Sequence, residues 1–70
     1  MMLRAMIEAE TTDGKAVLIN PAHIRAIYPA KEGTRVEFAD GAPLVLKLRV
    51  EAVASRVDRW LAVYLPGERY

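Results

Sequence analysis

The chain has 70 residues, a formal net charge of +1 and an apolar share of 53%, with no cysteine and a single histidine. This length allows one domain, which buries only about 60% of the surface of its unfolded chain. The lack of cysteine excludes disulfides and thiolate metal sites, and the near-neutral charge does not indicate a nucleic-acid or membrane partner. Charged residues interrupt the apolar start "MMLRAMIEAE", so we expect a cytoplasmic protein with neither a signal peptide nor membrane insertion.

Turn signals divide the first fifty residues into pieces of strand length. "TDGK" at 12–15 and "ADGA" at 39–42 contain Asp-Gly, a strong hairpin signal, and "KEG" at 31–33 is a third turn candidate. Between these turns lie the segments "LRAMIEAE", "AVLIN", "HIRAIYPA", "TRVEFA" and "PLVLKL". The pattern predicts an antiparallel meander of four to five strands.

After Leu48 the apolar period changes from two to between three and four. The residues that recur at this spacing are Val50, Val53, Ala54, Val57, Trp60, Leu61 and Tyr64, which form one stripe of a helix that Pro66-Gly67 ends. We therefore predict an α+β fold, an antiparallel β-meander of four to five strands covered on one face by a C-terminal helix. Residues 1–65 form the single domain, and residues 66–70 form a C-terminal tail.

Asn20 and Pro21 are predicted to form a structural corner at the end of the second strand. Proline lacks an N–H group and biases the preceding residue toward extended geometry, and the Asn20 side chain can cap the turn that "PAH" begins. The alternative is a ligand contact at this corner. We interpret His23, in the same corner, as a solvated side chain rather than a ligand or base. Trp60 is interpreted as a core anchor rather than a stacking surface for nucleic-acid bases.

No arrangement of residues indicates catalysis. No spacing ties His23 to a hydroxyl nucleophile, and the glycines stand singly at turns rather than in a phosphate-binding loop. A lone histidine among scattered carboxylates offers no spacing typical of a metal site. We expect no enzyme activity, no cofactor and no metal.

The face of the sheet that points away from the helix carries more information. Strict alternation along the strands places on it the candidate interface, which consists of Met6, Ile27, Val45, Arg35 and Lys47, together with either Val17 or Ile19. An apolar centre with a charged rim is typical of a contact surface. We predict a homo-oligomer, a dimer or a higher even-numbered assembly, in which Arg35 or Lys47 lies opposite Glu8 or Glu37 of another copy.

Several short motifs occur in a familiar order: "MI" at 6–7, "DGK" at 13–15, "V-INP--I--I" across 17–27, "GTRVEFADG" at 33–41 and "VEAV" at 50–53. Across residues 6–61 the chain resembles the flagellar FlbD, or swarming motility SwrD, family. The resemblance implies a small non-enzymatic accessory protein, with a flagellar protein as a possible partner. The chain departs from the family where the helix opens, because "LRVE" replaces the usual Ser or Thr.

These observations favour a non-enzymatic protein-binding or accessory module of FlbD-like type that associates with itself. The alternative is a DNA-binding regulatory domain that resembles the LytTR type, because that type shares the order of corner, strand and Gly hairpin. The net charge of +1 and the carboxylates of Glu8 and Glu37 argue against a face that follows phosphates.

Overall fold

The computed structural model describes residues 6–64, apart from the side chain of Tyr64, and contains five strands and one long helix. The elements are β1 (Ile7–Glu10), β2 (Ala16–Ile19), a single 3₁₀ turn (Pro21–His23), β3 (Ile24–Ala30), β4 (Gly33–Phe38), β5 (Leu44–Leu46) and α1 (Val50–Tyr64). The predicted tail at 66–70 lies outside the described residues. Between residues 6 and 64, no helix is long and apolar enough to cross a membrane.

The strands form two antiparallel sheets. β1 pairs with β2, and β3, β4 and β5 pair in chain order. An isolated bridge between Thr11 and Leu46 joins the sheets, since the Lys47 N–H donates to the Glu10 carbonyl at 2.9 Å and the Thr12 N–H to the Val45 carbonyl at 3.0 Å. The α+β prediction is confirmed. The meander is divided after β2, because β3, the next strand in the sequence, belongs to the other sheet.

The corner at Asn20 and Pro21 produces this division. Pro21 is buried at the first position of the 3₁₀ turn, and the Asn20 side chain accepts a hydrogen bond from the Ala22 N–H at 3.0 Å. Proline suits this position because its φ is already helical and the missing N–H would have no helical partner there. The corner therefore turns the chain out of the β1–β2 hairpin and into the second sheet.

Gly14 closes the β1–β2 hairpin. The Gly14 N–H donates to the Thr11 carbonyl at 2.9 Å, the Thr11 N–H donates to the Lys15 carbonyl at 2.8 Å, and Gly14 has a φ of 90°. This is the three-residue hairpin loop in which a residue with positive φ follows a tight turn. The Asp-Gly signal at 13–14 therefore predicts this turn correctly.

The core lies between the sheets and α1. Its buried members are Ala9, Ile19, Val36, Leu46 and Val53. Of the predicted helical stripe, Val53 and Trp60 are buried, Val50, Val57 and Leu61 are half-buried, and Ala54 is exposed. The buried Thr34 hydroxyl donates to the Leu48 carbonyl at 2.7 Å, so this polar side chain is satisfied inside the core and ties β4 to the segment that leads into α1.

A β-bulge in β3 changes which residues face the core. The register pairs Ile24 with Phe38 but Ala26 with Glu37, so Arg25 is an extra residue. Beyond the bulge Ile27 pairs with the buried Val36, and Ile27 packs against the core. The predicted outward orientation of Ile27 is therefore wrong, because one inserted residue reverses the alternation of a strand.

Candidate protein-binding surfaces

The predicted interface residues do not form one patch. Val45 and Arg35 are cross-strand neighbours on β5 and β4, whereas Met6 directly precedes β1 in the other sheet, and Ile27 faces the core. Val45 is half-buried. Tyr28, which pairs with Arg35, takes the outward place beyond the bulge and is exposed.

The charged residues of the second sheet's outer face are paired within the chain. Glu37 binds the Arg25 guanidinium at 2.8 Å and the Arg35 guanidinium at 3.1 Å, and the Lys47 ammonium lies 3.3 Å from the Glu10 carboxylate. Arg35 and Lys47 thus have carboxylate partners in their own chain. Exposed pairs of this kind contribute only about 0–1 kcal/mol to stability, so they keep this face polar without strongly stabilising the fold.

The hydrogen bonds of the β1–β2 hairpin show which residues point their backbone N–H and C=O groups toward each of its two edges. The Glu10 carbonyl accepts from Lys47, so the backbone groups of Glu10, and of Glu8 two residues earlier, point away from β2. Ile7 and Ala9 instead pair with Ile19 and Val17. The backbone groups of the remaining β2 residues, Ala16 and Leu18, consequently point to the outer edge of the hairpin.

No strand among the described residues covers the edge of β2. Its sequence, "AVLI", contains neither proline nor charge, and Leu18 is 58% exposed. Leu18 lies opposite Glu8, on the same outer face as Met6, which is 43% exposed. Val17 and Ile19 face the core, so the prediction that one of them points outward is wrong and Leu18 takes that role.

A groove of about 810 Å³ separates β1 from the second half of α1. Residues 6–10, with Gly14 and Ala16 at the hairpin turn, border it on one side, and Arg56, Arg59, Trp60 and Val63 border it on the other. The Arg56 guanidinium crosses the groove and donates to the Glu8 carbonyl at 3.0 Å. Trp60 is 9% exposed and Val63 is 66% exposed. The helical wall therefore has a buried aromatic side chain at its floor and an exposed apolar side chain at its rim.

The titratable groups give little sign of chemistry. The His23 side chain is exposed at the corner, and no cluster of three or more potential metal ligands occurs within residues 6–64. A hydrogen bond from the Thr11 hydroxyl lowers the pKa of the exposed Asp13 carboxyl below its ordinary value of 3.8, and the nearby Lys15 charge acts in the same direction. This perturbation belongs to the hairpin turn.

No family model, curated protein or solved structure matches the chain. The resemblance to the flagellar family therefore rests on the sequence motifs alone. The two edges of the β1–β2 hairpin and the helical wall beside one of them are surfaces with exposed backbone groups or apolar side chains.

Sequence reasoning missed most of the residues that line these surfaces. For the helical wall a signal was present, because Arg56, Trp60 and Val63 recur at the spacing of one helical face. For β2 no signal existed, since "AVLI" is apolar on both faces and its orientation depends on pairing with β1.

Proposed function

We propose that this chain is a small non-enzymatic protein-binding module that associates with a second copy of itself through the edge of β2. The observation that carries the proposal is the contrast between the two outer strands. β3 carries Pro29 and the bulge at Arg25, two features that discourage edge-to-edge pairing, whereas β2 carries neither.

The exposed apolar residues support the same edge. Leu18 projects from β2 and Met6 lies on the same outer face, so a second β2 strand that pairs antiparallel would bring two copies of this apolar pair together. A domain of this size without disulfides gains stability from such association. Met6 therefore remains a candidate interface residue, with Leu18 as its neighbour.

Light scattering at micromolar to millimolar concentration tests the proposal. We expect the wild-type chain to be a dimer and Leu18→Lys to be a folded monomer, because a lysine at an exposed edge opposes strand pairing. The melting temperature of the wild type should rise with protein concentration, and that of Leu18→Lys should be lower and independent of concentration. Tyr28→Lys is the matched control, since it places the same charge at an exposed apolar position of the other sheet. A monomeric wild type, or a Leu18→Lys variant that remains dimeric, would contradict the proposal.

We place this accessory module in the cytoplasm. The accessory role rests on the family resemblance, and the location rests on the charged residues that interrupt the apolar start of the sequence. The exposed position of His23 at the corner suits a solvated side chain in a binding module. A flagellar partner would be the first heterologous protein to test.

A DNA-binding regulatory domain is the second candidate, because Arg25, Arg35 and Tyr28 share the outer face of the second sheet. The bonds of both arginines to Glu37 weigh against it, since a phosphate would have to displace a carboxylate already in place. Binding to random duplex that weakens steeply as salt rises would favour this candidate over the protein-binding module.

A further inference from the structure

The groove beside β1 lies where one more strand could pair with the edge of β1. Neighbouring residues of a strand point to opposite faces, so a groove that touches only one face would be bordered by alternate residues. Here all of residues 6–10 border it, and at its far end the groove continues to Gly14 in the hairpin turn and Ala16 of β2. The groove therefore runs along the backbone edge of β1, with α1 as its opposite wall.

This place lacks a strand because β5 leaves the sheet early. β5 meets β1 only around the bridge between Thr11 and Leu46. The Leu48 carbonyl then bonds to Thr34, and α1 begins at Val50. Beside Glu8, where a longer β5 would have continued, the Glu8 carbonyl bonds instead to the exposed guanidinium of Arg56.

The helical wall of the groove is cationic, whereas Glu8 and Glu10 border the opposite side. Arg56 and Arg59 stand on its helical wall, and neither lies within ion-pair distance of a carboxylate in the part of the chain that the structure describes. By contrast, Arg25, Arg35 and Lys47 all have such partners. Apolar surface from Met6 and Val63 flanks the two arginines, so the wall complements a segment with both apolar and acidic side chains.

We propose that this groove binds an extended, acidic segment of a partner protein as an added strand beside β1. A backbone N–H of the segment replaces Arg56 at the Glu8 carbonyl, and a backbone carbonyl of the segment accepts from the Glu8 N–H. One of its apolar side chains packs against Met6 and Val63. A carboxylate of the segment binds Arg59 and the released Arg56. The inference rests on the proposed protein-binding role but uses the opposite edge of the hairpin from the self-association.

A displayed library of random peptides, selected against the full chain, tests this inference. We expect enriched peptides in which an apolar and an acidic residue occur at the spacing of a strand. Methylation of single backbone nitrogens should weaken binding about tenfold at every second residue and little at the residues between, because only alternate N–H groups face β1. Arg59→Glu should weaken binding by about tenfold or more, whereas Arg49→Glu, the same change outside the groove, should not.

Four results with the intact chain would overturn the inference. They are the absence of any enriched peptide, an enriched pattern with helical spacing, uniform tolerance of N-methylation, and equal binding to Arg59→Glu. If peptides bind only after deletion of residues 65–70, the groove belongs to the chain's own C-terminal segment and the inference is also overturned. Leu18→Lys should bind the peptides as well as the wild type does, so failure of the dimer and failure of the groove are separate results.

Discussion

Gly33 offers a sharp test of how tightly the second sheet is packed. A Cβ atom at this position would lie 1.8 Å from the carbonyl oxygen of Leu46, and real Cβ atoms essentially never come within 3.0 Å of such an atom. Gly33→Ala therefore requires β4 and β5 to separate by at least 1.2 Å, the difference between those two distances. Leu46 is buried in the core, so its backbone has little freedom to retreat.

The cost follows from the bonds that this movement disturbs. Positive φ costs an alanine about 1–2 kcal/mol, and each ladder hydrogen bond lost between β4 and β5 adds about 1 kcal/mol. The total of about 3–5 kcal/mol is comparable to the whole stability of a domain this small, roughly 4–10 kcal/mol. We expect Gly33→Ala to lose much of its stability and to unfold at a far lower urea concentration than the wild type does.

Urea unfolding followed by circular dichroism measures this loss. Gly14→Ala is the matched control, because Gly14 has a φ of 90° but nothing within 4 Å of its added Cβ. This variant should lose only the conformational share, about 1–2 kcal/mol. Equal stability of the two variants would refute the argument from close approach.

Three further predictions concern the corner, the helix and the hairpin turn. Asn20→Ala should lower the free energy of unfolding by about 1 kcal/mol, the usual cost of a lost cap. Asn20→Asp is the control, because it keeps the side-chain acceptor and should keep the stability. If the association constant falls without any loss of stability, Asn20 is a binding residue. Trp60→Ala should cost about 3–5 kcal/mol in thermal or urea unfolding, and a fully stable variant would contradict the burial of this side chain. NMR titration should give the Asp13 carboxyl a pKa below 3.8 that rises in Thr11→Val. The pKa of Asp13 is lower in the folded chain than in the unfolded chain. The stability that this bond contributes is therefore present at a pH above the unfolded-state pKa and is lost as the pH falls through the folded-state pKa. An unchanged pKa in Thr11→Val would exclude the hydroxyl as the cause.

Local sequence patterns predicted the elements well because each carries its own physical signal. The period of the residues after Leu48 identified α1, and Asn20-Pro21 marked the corner where the two sheets part. Asp-Gly at 13–14 located the first hairpin. These signals act within a few residues of the chain, so they need no knowledge of tertiary contacts.

Orientation within the strands was less predictable, because it depends on pairing with distant residues. Ile24 and Ile27 are three residues apart, a spacing that strict alternation cannot place on one face and that the bulge at Arg25 accommodates. This spacing was the available sign that Tyr28, rather than Ile27, faces outward. The bridge between Thr11 and Leu46 had no local sign, since it joins segments that lie far apart in the sequence.

The two edges of the β1–β2 hairpin differ in how they resist unwanted pairing, and this difference bears on the partners that each can accept. The edge of β2 has no charge or proline to oppose another strand, so self-complementary pairing needs no displacement. The Glu8 carbonyl of β1 is already bonded to Arg56, and an incoming strand must replace that bond. At the Glu8 carbonyl itself, a neutral strand would replace a bond from a charged guanidinium by one from a neutral backbone N–H, so it gains nothing at that atom. An acidic strand also binds the released arginine, through a charge-assisted bond of roughly twice the strength of a neutral one. If the groove binds a partner strand as proposed, Arg56 makes the edge of β1 favour acidic segments, whereas the proposed pairing at the edge of β2 depends on shape and apolar contact.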